Sequence, residues 1–378
     1  MDVKILEDLS NAFGPSGFER DVICTAASYL NGMKLHSDAM YNLYAELPGN
    51  TGKKPVVMLD AHTDECSLMI QAIQENGRLS VLTLGSMHMS TLPAHSYLIR
   101  TRSGKLVRGI TTSVPVHFAT QAQAMDSQTI EEIFLDVGAS DRREVMEDYG
   151  IHIGDPAVPE VTFDYDCEHD ICFGKAFDNR AGCACIIGTL QELAKDQELP
   201  VDVVGAFASQ EEVGMRGAEA TTHTVKPDLC ILFEGSPSDD GIFAEGVMQG
   251  QLKHGVQIRR RDLSYISNDQ FIDLAHQIGD EYRIPYQDAV RRGGSTNAGK
   301  ISLVEGVVPV LVLGVPSRYV HTPFNYCSMR DVDAAVQMAV EVIRHLTEEK
   351  RDQILRKDAF RFPANTDCRL EKCQNKGK

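Results

Sequence analysis

The chain has 378 residues, 43% of them hydrophobic and 24% charged, which is typical of a globular protein with one large domain or two smaller ones. A formal net charge of −17 excludes the basic surface that nucleic-acid binding requires. No apolar run approaches the roughly 18 residues of a membrane span. The first residues do not resemble a secretory signal, so we expect a cytoplasmic protein whose ten scattered cysteines are reduced.

The N-terminal region predicts two helices and two strands. Apolar residues at helical spacing cover 4–12 and 18–30, and Gly14-Pro15-Ser16-Gly17 separates them. A strand is predicted over 38–46. The continuous apolar run from Val56 to Leu59 then predicts a second, buried strand.

His62 and Asp64 follow this buried strand. They are two positions apart, so on an extended chain their side chains point the same way. A metal-bound histidine usually donates its second ring N–H to a carboxylate. Asp64 is therefore placed to orient His62 as a metal ligand, and the alternative is an ordinary polar loop.

Residues 68–163 predict an inserted domain. Short β-type runs separated by glycines are typical of a small β-barrel or sandwich. Strands and helices alternate from 171 onward, which predicts an α/β/α sandwich with a mostly parallel sheet. We assign 1–67 and 164–350 to this main α/β domain. Residues 351–378 are predicted to be a loosely held C-terminal extension, in which Phe360-Arg361-Phe362-Pro363 docks locally.

Four later segments carry further side chains of the types that bind metals. Asp178 lies where a loop enters a helix, Glu211-Glu212 follows the predicted strand 201–208, Glu234 closes the strand 229–233, and His321 follows the strand 307–313. Ligands of parallel sheets gather at the carboxyl ends of the strands. These side chains are therefore able to converge in space.

Each of these segments also has a simpler explanation. Asp178 could be a helix cap, the two glutamates a solvated acidic turn, and His321 a hydrogen-bonded structural residue. Two adjacent carboxylates after a buried strand repel each other unless a cation lies between them or one is protonated. Adjacent side chains point different ways, so one could bind metal while the other acts as a base toward metal-bound water.

The combined set contains two histidines and three carboxylates, with one additional glutamate and no thiolate. Oxygen and imidazole ligands suit Zn²⁺, Mn²⁺ or Co²⁺ in an open catalytic site. Five ligands that include a shared aspartate suit two cations roughly 3.5–4 Å apart. We therefore expect two divalent ions per subunit, zinc first, with cobalt and manganese as alternatives.

Taken in order, the motifs resemble those of the dinuclear-metal glutamyl and deblocking aminopeptidases that assemble into tetrahedral (TET) particles, some members of which carry an endoglucanase label. The resemblance covers nearly the whole chain to about residue 350. Besides Gly14-Pro15-Ser16-Gly17, the matching segments are Leu59-Asp60-Ala61-His62-Thr63-Asp64-Glu65, Lys175-Ala176-Phe177-Asp178-Asn179-Arg180, Gln210-Glu211-Glu212-Val213-Gly214 and Arg318-Tyr319-Val320-His321-Thr322-Pro323.

The resemblance implies a role for each candidate side chain. His62 and Glu234 would bind one metal, Glu212 and His321 would bind the other, and Asp178 would bridge them. Glu211 would be the general base, and Asp64 would orient His62. Residues 68–163 would mediate homo-oligomers, from a dimer up to a dodecamer.

Two positions depart from the family pattern. Glu234 stands where the family usually has aspartate, whereas related carboxypeptidases and deacylases use glutamate at this position, which leaves open the end of the substrate that is recognised. Asn297 stands in Gly294-Ser295-Thr296-Asn297-Ala298-Gly299, where the family has an acid. We expect this amide to change a contact near the substrate.

The resulting functional expectation is hydrolysis of small peptides at their free N-terminus. A water activated between the two metals would attack the peptide bond, and Glu211 would accept its proton. The alternatives are a dinuclear carboxypeptidase or N-acyl-amino-acid deacylase, a glycosidase, and a non-catalytic assembly stabilised by metal.

Overall fold

The computed structural model describes residues 1–114, 117, 129–304 and 306–356. The strands of this described part, in chain order, are β1 (Lys34–Ser37), β2 (Leu43–Glu46), β3 (Val56–His62), β4 (Ser67–Ile73), β5 (Leu79–Leu84), β6 (Ser96–Arg100), β7 (Leu106–Thr111), β8 (Phe134–Asp136), β9 (Pro156–Pro159), β10 (Asp164–Asp166), β11 (Ile171–Gly174), β12 (Asp202–Ala208), β13 (Leu229–Pro237), β14 (Val256–Arg261), β15 (Tyr286–Val290), β16 (Val310–Ser317) and β17 (Asn325–Cys327).

The α-helices of the same residues are α1 (Val3–Asn11), α2 (Arg20–Ser28), α3 (Arg142–Glu144), α4 (Phe177–Leu193), α5 (Arg216–Val225), α6 (Asp269–Tyr282), α7 (Ala298–Ile301), α8 (Met329–Arg344) and α9 (Glu348–Ile354). Short 3₁₀ turns cover Met89–Thr91 and Ile130–Glu132, and a π-helical turn covers Val145–Tyr149. None of these helices is long and apolar enough to cross a membrane.

The main sheet has eight strands in the order β1-β2-β12-β3-β13-β16-β14-β15. The four central strands, β12, β3, β13 and β16, are all parallel to their neighbours within that group. Antiparallel pairs join β1 to β2, β2 to β12 and β16 to β14. The central parallel group brings four carboxyl ends to one edge of the sheet.

Alternating side chains of the central strands pack against helices on the two faces of the sheet. On β13, Leu229, Ile231 and Phe233 join a core that includes apolar residues of α1, α2, α4, α6 and α8. Cys230 and Leu232 point to the opposite face, where α5 and α7 pack. This alternation follows the two-residue period of a strand. The predicted α/β/α sandwich with a mostly parallel sheet is confirmed.

The part of the chain between β3 and β10 forms a closed barrel. Its strands follow the order β4-β5-β8-β7-β6-β9, and it has a separate apolar core that includes Leu68, Ile99 and Leu135. The predicted inserted β-barrel is thus confirmed. The returning chain forms β10 and β11 before it enters α4, and the later strand β17 pairs with β11 to complete a small antiparallel sheet, β10-β11-β17.

The helix α9 crosses residue 351, where the sequence predicts the start of a loosely held extension. Ile354 is buried in the sandwich core, and Arg351 donates hydrogen bonds to the carbonyls of Pro200 and Leu346. Residues 351–354 are therefore packed against the main domain, which corrects the prediction at this point. The predicted docking of Phe360-Arg361-Phe362-Pro363 lies outside the described residues.

Candidate metal centre and active site

The candidate side chains meet at the carboxyl edge of the central strands. His62 ends β3, Glu211 and Glu212 follow β12, Glu234 lies in β13, and the loop after β16 carries His321. These strands are adjacent and parallel, so their ends form one rim.

Asp178 lies between the two histidines. Its Oδ1 is 3.0 Å from Nε2 of His62, and its Oδ2 is 3.3 Å from Nε2 of His321. The backbone angles of Asp178 are not helical, although the residue falls in the first turn of α4. The contacts to both imidazoles hold the pKa of Asp178 well below its usual range despite its burial. This carboxylate thus presents one oxygen to each side of the rim.

Asp64 connects His62 to the loop after β12. Its side chain is fully buried, and its Oδ1 lies 3.3 Å from Nδ1 of His62. It accepts hydrogen bonds from the backbone N–H groups of Glu211 at 2.9 Å and Glu212 at 3.1 Å, and from the hydroxyl of Ser16 at 2.6 Å. Burial favours a raised pKa, but these donors keep the pKa of Asp64 below its ordinary value. Asp64 therefore orients one histidine and both glutamates at once.

The imidazole of His321 is fixed from the inserted barrel. Its Nδ1 lies 2.7 Å from the backbone carbonyl of Ser86, which can only accept a hydrogen bond. Nδ1 therefore carries a hydrogen, and Nε2 faces Asp178 and Glu212. The distance from Nε2 to Oε1 of Glu212 is 3.7 Å.

The glutamates form a cluster of buried negative charge. Burial raises the pKa of Glu211 to about 8 and that of Glu212 to about 7, and it raises the pKa of Glu234 well above its ordinary value. Repulsion from neighbouring carboxylates acts in the same direction for all three. Oε1 of Glu212 is buried and has no hydrogen-bond partner. Such a cluster needs protons or cations to persist, and its unpartnered oxygen fits a metal ligand.

Three sets of side chains bring their ligand atoms within 4.8 Å of one another. The sets are His62 with Asp178 and Glu234, His62 with Glu211 and Glu212, and Cys66 with Glu212 and His321. The structure therefore brings all the metal-ligand candidates of the sequence to one place. It also adds the thiol of Cys66, whereas the sequence predicts a set of ligands without thiols.

A buried ion cluster beneath the rim is the main feature that sequence reasoning missed. Arg180 and Lys175 both bind the carboxylate of Glu65, at 3.0 and 2.6 Å. Glu65 lies one residue after Asp64, and Arg180 two residues after Asp178. Glu65 and the two cationic side chains therefore lie in the same motifs as the candidate ligands. Their opposite charges are the sequence signal that indicates this ion cluster.

Asn297 does not lie where the sequence predicts it. Its side chain is 1% exposed and donates a hydrogen bond of 2.8 Å to Asp60, a fully buried residue of β3. The expected change near the substrate is therefore wrong at this residue. Its neighbours Gly293, Gly294 and Ser295 do line the cleft beside the rim.

This cleft has a volume of about 590 Å³ and lies over the carboxyl edge of the sheet. Its lining includes the candidate residues Asp178, Glu211, Glu212, Glu234 and His321. Arg259 and Arg291 contribute positive charge elsewhere on the lining. The cleft is large enough to hold part of a small peptide next to the acidic cluster.

A model of the M42 glutamyl aminopeptidase family matches residues 42–338. The chain belongs to the M42 glutamyl aminopeptidase family. As an M42 protein it is an aminopeptidase, which hydrolyses peptide bonds, and the predicted family is confirmed.

Two relatives of this M42 aminopeptidase match over almost their whole length. FrvX of Escherichia coli (strain K12) is 30% identical over 355 residues, which cover 93% of this chain and 97% of FrvX. The glutamyl aminopeptidase of Lactococcus lactis subsp. cremoris (strain MG1363) is 28% identical over 353 residues, covering 93% and 98%.

A solved structure supports the same assignment to the M42 fold. The TET aminopeptidase of the marine sediment archaeon Thaumarchaeota archaeon SCGC AB-539-E09 superposes with a TM-score of 0.88 at 28% identity. The match covers 93% of this chain and 99% of that protein.

Proposed function

We propose that this aminopeptidase works with two divalent cations bound at the rim. His62 and Glu234 would hold one cation, Glu212 and His321 the other, and Asp178 would contact both. The observation that carries this proposal is the position of Asp178, whose two oxygens face two different histidines at 3.0 and 3.3 Å. The buried, unpartnered Oε1 of Glu212 supports it.

The charges of the rim favour cations of this kind. Asp178, Glu211, Glu212 and Glu234 lie together in a largely buried place, and two dications would offset their mutual repulsion. When bound, such cations act as Lewis acids that polarise a carbonyl and lower the pKa of water toward neutrality. Zinc is our first choice, and cobalt and manganese are the alternatives.

Glu211 is proposed as the general base. Its backbone N–H is held by Asp64, so its carboxylate has a defined position beside His62 and Glu212. Burial and neighbouring acids raise the pKa of Glu211 to about 8 in the metal-free chain. Two dications beside it would lower this pKa, so that the carboxylate is ionised and able to accept a proton near neutral pH. The carboxylate would accept a proton from the attacking water and donate it to the leaving amine.

Metal analysis joined to an activity screen tests this proposal. We expect about two equivalents of zinc, cobalt or manganese per chain, and we expect hydrolysis of aminoacyl p-nitroanilides to disappear in chelator and return when metal is restored. Activity that persists in a fully metal-free protein would refute the metal-dependent reaction. Metal-independent cleavage of an aryl glycoside in the same screen would favour the glycosidase alternative, whose two-carboxylate chemistry needs no metal.

The same screen determines which end of the substrate is recognised. N-acylated amino acids serve as the matched substrates, because they lack the free α-amine. We expect them to be at least about 100-fold poorer than the aminoacyl compounds, as is usual when a site built for a polar group meets a substrate without it. Turnover of only the acylated set would favour the deacylase or carboxypeptidase. No turnover of either set with two metals bound would favour a non-catalytic assembly.

We infer that residues 68–163 form the oligomerisation domain of a homo-oligomer. The outer surface of the barrel exposes Leu82, Leu106 and Ile110, which are 46%, 47% and 53% exposed. Exposed apolar side chains on the outer strands of a small domain fit an interface between subunits. Sedimentation analysis is expected to give a mass several times that of one chain, and Ile110→Asp is expected to lower it. A wild-type protein that sediments as a single chain at micromolar concentration contradicts the inference.

A further inference from the structure

Cys66 lies beside Glu212 and His321, the two side chains that would hold the second cation. Its Sγ and the ligand atoms of Glu212 and His321 are all within 4.8 Å of one another. The residue follows Glu65 and precedes β4, so it belongs to the segment that leads from His62 into the barrel. In a tetrahedral site with bond lengths of roughly 2.0–2.3 Å, ligand atoms are about 3.5 Å apart. A small adjustment of these three side chains would therefore let them share one cation.

The three side chains also line one small cavity. Its volume is about 20 Å³, and Cys66, Glu212, His321 and Asp178 are among its lining residues. A single water or ion needs roughly 10–15 Å³ measured in this way. The cavity is thus of the size that one ion would fill, and four potential donors surround it.

A glycine of the barrel domain, Gly85, leaves room for this cavity. Gly85 has a φ of +92°, and a Cβ atom there would lie 2.8 Å from Sγ of Cys66 and 3.0 Å from Oε2 of Glu212. Only glycine fits this position without displacing two of the three donors. The next residue, Ser86, accepts the N–H of His321 and lies 3.5 Å from Sγ of Cys66 through the same carbonyl oxygen.

Glu212 gives an independent indication of a ligand. Its side chain is 3% exposed, and its Oε1 has no hydrogen-bond partner and lies 3.7 Å from Nε2 of His321. An unpartnered buried carboxylate oxygen is costly unless something else binds it. The carboxylate of Glu212 and the thiol of Cys66 line the same small cavity.

We propose that Cys66 is a thiolate ligand of the cation held by Glu212 and His321, an inference that rests on the proposed metal site. On binding, the thiol releases its proton to solvent and the sulfur donates an electron pair to the cation. A sulfur ligand is softer than oxygen or imidazole, so this position favours zinc or cobalt over manganese. The two cations are therefore unequal, and the one bound by Cys66 is the harder to exchange for manganese.

Substitution of cobalt at the site allows the bond between Cys66 and the cation to be detected by absorption spectroscopy. The wild-type protein reconstituted with Co²⁺ is expected to show the near-ultraviolet absorption of a thiolate–cobalt bond. Cys66→Ser is expected to lose this absorption, and its zinc affinity at the same position is expected to fall at least about tenfold, the lower bound for losing even an indirect partner of a metal. Cys24→Ser, at an exposed free cysteine on α2, is the matched control and keeps the band.

X-ray absorption at the zinc edge tests the same bond in the wild-type protein. A sulfur atom about 2.3 Å from zinc is expected in the zinc-loaded wild type and in Cys24→Ser, and it is expected to be absent in Cys66→Ser. Two bound cobalt ions without a thiolate band, or two bound zinc ions without a sulfur neighbour, would overturn the role of Cys66 and leave the proposed function standing. Failure to bind any cobalt would overturn both.

Discussion

Glu211→Gln is expected to lower the turnover number for an aminoacyl p-nitroanilide by at least about 100-fold, the usual lower bound for losing a general base. The amide has nearly the shape of the carboxylate but cannot accept a proton. Its backbone N–H still donates to Asp64, so the loop that carries Glu212 keeps its position. We therefore expect the metal content to stay at the wild-type value.

Glu219→Gln is the matched control for this experiment. Glu219 lies on α5, its side chain is half exposed, and it pairs with Lys300 at 3.0 Å. The same chemical change there is expected to leave turnover within about twofold of wild type, because surface ion pairs contribute little. Near-normal turnover of Glu211→Gln would exclude Glu211 as the base. A loss of one metal equivalent would instead identify it as a ligand.

Arg180→Met is expected to lower the free energy of unfolding by about 3–5 kcal/mol, the range found when one partner of a buried ion pair is removed. The guanidinium is fully buried and makes five hydrogen bonds, to the carbonyls of Leu9, Ala12, Gly14 and Thr63 and to the carboxylate of Glu65. Methionine fills a similar volume but satisfies none of these acceptors. Urea denaturation at fixed protein and zinc concentration measures the change.

Arg143→Met serves as the control for that measurement. Arg143 pairs with Glu147 at 2.8 Å in the barrel, but its side chain is 80% exposed. Its loss is expected to cost less than about 1 kcal/mol. If Arg180→Met also cost less than 1 kcal/mol, the buried cluster would be shown to add nothing to stability beyond what an apolar side chain supplies.

The grouping of the candidate ligands at one rim could be predicted from sequence because its signal is local. His62, Glu212 and Glu234 each follow an apolar run, and such runs predict buried strands whose ends meet in a parallel sheet. The order of strands could not be predicted in the same way. It depends on pairing between distant segments, such as β12 with β3, that the pattern within each strand does not reveal.

The last two strands of the main sheet, β14 and β15, could not be predicted from the sequence for a different reason. Their residues, Val256–Arg261 and Tyr286–Val290, mix arginine, glutamine and aspartate with few apolar side chains. Polar composition of this kind is usual in loops as well. Ion pairs such as Arg260 with Asp288 at 2.9 Å form only once the two strands lie side by side.

The ligand role proposed for Cys66 could not be predicted from the residues around it in the sequence. A single cysteine after Glu65 matches no spacing that is typical of a zinc site. Its neighbours in space come from Glu212 and His321, far along the chain, and from Gly85 in the barrel. Only the folded arrangement of the barrel against the sandwich brings these groups together.

The carbonyl of Ser86 has a consequence for how the barrel can be altered. Through this oxygen, the barrel determines which nitrogen of His321 donates to the barrel and which faces the rim. The barrel is thus not an exchangeable module. A chimaera that takes its barrel from another protein would need to reproduce the turn at Gly85 and Ser86, or the imidazole would rotate and the two halves of the hybrid would fold without forming a working centre.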